Sequence, residues 1–141
     1  MEDFVETLTR GNPTEVKVVL TSVVFALAVQ QLVLIAVGYG KVRPSFLGAR
    51  PASWVHRASG DAIVVLLVVV AAMCLGLFGF DDDGAVHAVS GAALFVVLAL
   101  KIAVLRWWPS AGRFLPALGL GVFVLLAVTF ATSAGAFLAD A

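Results

Sequence analysis

Residues 62–80 read AIVVLLVVVAAMCLGLFGF, residues 81–84 read DDDG, and residues 85–105 read AVHAVSGAALFVVLALKIAVL. This stretch decides the fold. Each apolar run is close to the roughly 20 residues an α-helix needs to cross a hydrocarbon layer. The three aspartates between them are too costly to bury in lipid, so they mark a short turn in water. The pattern predicts a membrane hairpin, and its two arms are entered through one repeated phrase: His56-Arg57-Ala58-Ser59-Gly60, then His87-Ala88-Val89-Ser90-Gly91. His56 and His87 are the only histidines, and each stands four residues before a glycine. Positions i and i+4 share a helix face, so each imidazole is expected to look over a position with no side chain. A flat ligand lying against a helix needs that arrangement.

Composition agrees with a membrane setting. Of 141 residues, 62% are hydrophobic and 13% charged, where a water-soluble domain carries roughly a quarter charged residues; mean hydropathy is +1.08. The length allows one domain. Formal net charge is zero, so nothing in the chain resembles a nucleic-acid binder. The single Cys74 excludes an internal disulfide and a thiolate cluster. The first apolar run follows an acidic segment and is too long for a signal-peptide core, so it is expected to persist as a span.

Working outward, the sequence predicts an all-α integral membrane four-helix bundle, one four-span domain over residues 1–141, with helices at about 16–37, 52–80, 85–105 and 114–137. Gly11-Asn12-Pro13-Thr14 reads as a turn, with Thr14 or Asn12 capping the first helix. That helix carries Gln30-Gln31, and a buried amide in lipid needs a partner, so at least one glutamine should face another helix. Residues 38–53 read as a loop, with Pro51 placed to start the second helix. Residues 106–113 read as a second loop.

Basic residues set the orientation. Lys41, Arg43, Arg50, Arg57, Arg106 and Arg113 flank one side, with Lys101 near it, against Arg10 and Lys17 on the other. The positive-inside rule then puts both termini on the outer side of the cell (inner, cytoplasmic) membrane. Tyr39, Trp54, Trp107 and Trp108 fall at the inner boundary, as an aromatic belt would.

In this topology the two histidines lie at opposite faces. His87 falls level with roughly Leu77, 21 residues from His56, or about 31 Å along a helix. One haem iron cannot be held by both. Either there are two sites, or one site and one structural histidine, or none. At the outer site Met73 lies about one turn deeper than His87, and His with Met is a haem axial pair. Gly76 and Gly91 would leave room for the ring, but only Arg10 and Lys17 offer positive charge there. The plain alternative is that Met73 fills the core and His87 is an interfacial residue bonded to water. At the inner site Arg57, Lys101 and Arg106 are good partners for propionates, beside His56 and Gly60, yet no second ligand lies at that depth. His56 would then serve a five-coordinate haem, pair with His56 of a second chain, or donate to Gln30, Gln31 or Tyr39. Alternatively, His56 and Arg57 simply belong to the basic boundary.

Lys101 lies about one and a half turns inside its helix, where its stem can snorkel or pair with Asp61. A transporter path would need more polar groups than Thr129, Thr132 and Ser133. Asp81–Asp83 do not match a calcium loop. Gly119-Leu120-Gly121 follows no strand, so it is read as close helix packing rather than a phosphate loop, along with Ala131 and Gly135.

As a set, His56-Arg57-x-Ser59-Gly60, His87-x-x-x-Gly91, Leu100-Lys101, Leu105-Arg106 and Pro116-x-x-Gly119 resemble a family of small four-helix prokaryotic membrane proteins. That family is itself similar to the transmembrane parts of ferric reductases and ascorbate-type cytochromes b. The resemblance covers about residues 54–138 and implies haem b and electron transfer. Such relatives tend to carry a histidine in the outer part of helix 2, where this chain has Ala72-Met73-Cys74. The departure leaves His87–Met73 as the outer pair, or no haem. The expected function is thus a small b-type haem-binding protein for electron transfer, alone or within a membrane redox complex. The alternative is a non-catalytic accessory or anchoring subunit without its own cofactor. Expected partners are membrane lipid and either other membrane subunits or a second copy.

Overall fold

The computed structural model describes residues 12–41, 49–78 and 84–139. Among these residues the chain is helical, with short turns and no strand. The expected aspartate turn at 81–83, the expected end of the second helix at Phe80, residues 42–48 of the predicted first loop and both chain ends lie outside the described residues.

The helices are α1 (Pro13–Gly38), α2 (Ala49–Met73), α3 (Ala85–Trp107) and α4 (Leu115–Phe130). A π-turn, Cys74–Phe78, extends α2. A 3-10 turn, Pro109–Phe114, leads into α4, and a second π-turn, Ala131–Gly135, follows it before a last turn, Ala136–Ala139. Four segments, Pro13–Gly38, Pro51–Gly76, Ala85–Trp107 and Pro109–Ala139, are long and apolar enough to cross a membrane. The 26 residues of α1 extend about 39 Å at 1.5 Å per residue, against a hydrocarbon thickness of about 30 Å. Large apolar side chains such as Val19, Val65, Val89 and Val96 are exposed along these helices. Water would penalise that surface and lipid does not, so the chain is a multi-pass membrane protein.

Local chemistry fixes the ends of α1. Asn12 is the cap, accepting from the Glu15 amide at 3.4 Å, and Pro13 opens the first turn. At the other end Gly40 takes φ +69°. The Lys41 amide then reaches the Ala36 carbonyl at 2.9 Å and the Gly40 amide reaches Val37 at 3.0 Å. This is a Schellman stop, which glycine enters without steric cost.

Two helix pairs carry the packing. In the first, α1 presents Val18, Thr21, Val24, Ala28, Leu34 and Val37 along one buried stripe, and Gln31 falls between Ala28 and Leu34 on it. Ala52, Ile63 and Leu67 of α2 are buried as well. Thr21 satisfies its hydroxyl on the Lys17 carbonyl at 2.7 Å, so it costs little on an apolar face. In the second pair, Ser90, Leu94, Leu98 and Val104 form the α3 stripe, with Leu126 and Ala134 buried on the opposing span. Gly121 permits close approach there: a Cβ at that position would stand 3.5 Å from Val97 Cγ1. The packing reading of Gly119-Leu120-Gly121 is therefore sound at Gly121.

The two predicted loops are shorter than expected. Residues 49–53 are already helical, so Pro51 sits in the first turn of α2 rather than opening it. Residues 106–113 fold as the end of α3 and a 3-10 turn, leaving only Trp108 between them. Near lipid, backbone amides need internal partners, and Pro109 starts the new turn without giving up a useful donor.

Candidate functional site

Each histidine phrase is met by a polar side chain from the helix packed against it. In the first pair that side chain is Gln31. Its Nε2 donates to the His56 carbonyl at 2.9 Å and to Ser59 Oγ at 2.8 Å. Ser59 in turn donates to the Val55 carbonyl at 2.7 Å. The expectation that one glutamine faces another helix is met by Gln31, while Gln30 is exposed. The bond runs to the His56 backbone rather than its ring. The same amide fills the space beside Gly60, 3.6 Å from where a Cβ would stand. His56 is half-buried, and Arg57 and Asp61 are exposed.

In the second pair the phrase is read by Thr129. Its hydroxyl donates to Ser90 Oγ at 3.1 Å, and Ser90 donates to the His87 carbonyl at 3.1 Å. Here the imidazole itself is also held. His87 Nδ1 lies 3.2 Å from the Thr129 carbonyl oxygen and 3.4 Å from Thr132 Oγ1. A carbonyl only accepts, so a bond to the Thr129 oxygen requires the tautomer with the proton on Nδ1. In the neutral ring the lone pair then belongs to Nε2. That is the state of a metal-ligating histidine, whose second nitrogen is oriented by a carbonyl or carboxylate. The anchoring carbonyl lies two residues before the π-turn Ala131–Gly135. Such turns delay the next backbone donor and recur at functional sites.

The remaining predicted residues divide between the pairs. Met73 is buried at the end of α2, directly before the π-turn Cys74–Phe78. Gly76 and Gly91 have open space where a Cβ would stand, unlike Gly60. Lys101 is half-buried on α3, and its Nζ comes within 3.9 Å of the position a Gly119 Cβ would take. Arg106 is exposed in the last turn of α3, where its charge suits the helix dipole. Among the described residues no three His, Cys, Asp or Glu side chains converge to hold a bare metal ion.

Sequence reading missed two features, the Thr129 carbonyl as the anchor of His87 and both π-turns. The only available signal was that Thr129, Thr132 and Ser133 fall at the predicted depth of His87. No curated protein and no solved structure matches the chain. Over residues 3–141 it matches DUF6529, a family of unknown function, and it belongs to that family.

Proposed function

We propose that this chain is a small b-type haem-binding membrane protein that transfers electrons, alone or as a subunit of a membrane redox complex. The observation that carries the reading is the His87 ring, whose Nδ1 is committed to the Thr129 carbonyl at 3.2 Å. In the tautomer that donates from Nδ1, Nε2 keeps the lone pair that would bind iron. The open position at Gly91, on the same helix as His87, is consistent with a porphyrin edge along that face of α3. Met73 is the second ligand in this reading, and its thioether would raise the potential relative to two imidazoles. The inner candidate at His56 is the weaker one, because the Gln31 amide occupies the space beside Gly60. Bound haem would supply one-electron chemistry. The protein's part is to hold the ring, fix the His87 tautomer and exclude water. The basic residues place both termini outside the cytoplasmic membrane in this reading, with Arg57, Lys101 and Arg106 on the inner side.

A second reading, an accessory or anchoring subunit without a cofactor, is favoured by one feature. Little of the fourth span, Pro109–Ala139, is buried, which leaves most of that helix for lipid or for a partner. The two readings separate on colour. Protein purified in detergent from a haem-replete host should show a Soret band and a reduced α-band. A colourless preparation that co-purifies with larger membrane subunits would favour the second reading.

A further inference from the structure

The second helix pair carries a groove at the end opposite His87. Its volume is about 550 Å³, within the range of about 300–1,000 Å³ common for ligand sites. Ala117 and Gly121, one turn apart, give one wall almost no side-chain mass, while Val97 and Val104 form the other. The exposed rings of Trp108 and Phe114 frame it where α3 ends and the fourth span begins. Arg113 lies over the Phe114 ring, its guanidinium carbon 4.8 Å from the centroid. That contact pins a cation beside an apolar slot, and Arg106 brings a second positive charge to the same end of the pair.

Two ligand chemistries deserve weighing for a slot in a membrane-spanning segment. A quinone would bring two ring carbonyls to walls that offer no polar side chain beyond the Trp108 indole. An anionic lipid matches both parts: its acyl chain needs an apolar channel, and its phosphate needs a cation at the interfacial level. Aromatic rings at that level are also where lipid headgroups meet protein. We propose that this groove binds one anionic phospholipid, with an acyl chain along Ala117 and Gly121 and the phosphate on Arg113. Basic sites between membrane helices recognise headgroups in this way.

The test is native mass spectrometry of the full-length protein released from detergent. Phosphatidylglycerol and phosphatidylcholine with identical acyl chains are offered in equal amounts. The wild type should retain a single phosphatidylglycerol in preference. Arg113→Gln, at an exposed position, should keep its fold and lose about fivefold of that preference, the worth of one interfacial charge. Ala117→Trp should fill the slot and abolish retention of either lipid. Equal retention of the two lipids by the wild type would overturn the proposal. So would unchanged retention by a folded Ala117→Trp protein, or a dimer, in place of a lipid adduct, that Ala117→Trp disrupts. Arg113→Gln decides alone if the tryptophan variant does not fold.

Discussion

Replacing Gln31 by leucine removes the two hydrogen bonds that tie α1 to the His56 phrase, at 2.9 and 2.8 Å. The magnitude follows from what is left behind. Interhelical hydrogen bonds in membrane proteins average about 0.6 kcal/mol and reach at most about 1.7. Two of them give an expected cost near 1.2 kcal/mol, with a ceiling near 3.4. The lower figure applies here, because no buried donor is orphaned. Ser59 keeps its donation to Val55 at 2.7 Å, and the His56 carbonyl loses only an extra acceptor role. The leucine itself is neutral, since lipid tails are as apolar as the helix interface. A loss of about 1.2 kcal/mol shifts the unfolding equilibrium roughly eightfold. Titration with a denaturing detergent in mixed micelles, followed by helical circular dichroism, measures it. Gln30→Leu is the internal control: Gln30 is exposed, so its replacement should leave stability unchanged or raise it. Gln31→Leu as stable as the wild type, or Gln30→Leu costing as much, would refute the assignment of Gln31 to the seam.

Three further outcomes follow from the second pair, each read in the same unfolding assay. Leu94 is 1% exposed, so Leu94→Ala should cost about 2–5 kcal/mol, toward the low end because lipid rather than water is the competing solvent. Gly121→Leu should cost about 1–3 kcal/mol by forcing α4 away from Val97. Thr129→Val removes the hydroxyl bond to Ser90 but keeps the backbone carbonyl that holds His87. It should cost about 0.5–1.5 kcal/mol and, by a separate absorbance measurement, leave in place the haem spectrum that the proposed function expects.

What the sequence made legible, and what it did not, follows from the range over which each signal acts. The four apolar helices were readable because lipid acts on composition over twenty residues at once. Gln31 was readable because an amide in an apolar run has few options. The loops were misjudged at residues 49–53 and 106–113, where prolines and charges look like turn signals in water but fall inside helical turns here. The central hairpin drew attention through its repeated phrase. Yet the partners that hold the two phrases, Gln31 and Thr129, come from α1 and from α4. A spacing rule applied within one helix cannot name a partner on another. Nor does any local pattern announce a π-turn, so the anchoring of His87 had to come from the fold.

The account stands on iron porphyrin held by His87, and haem content per chain tests that claim most directly. Protein purified from a haem-replete host is assayed for extractable haem b as the wild type, His87→Ala and His56→Ala. The account predicts about one haem per chain in the wild type, none in His87→Ala and a retained haem in His56→Ala. A wild type without haem, or a haem content that His87→Ala leaves unchanged, would contradict it.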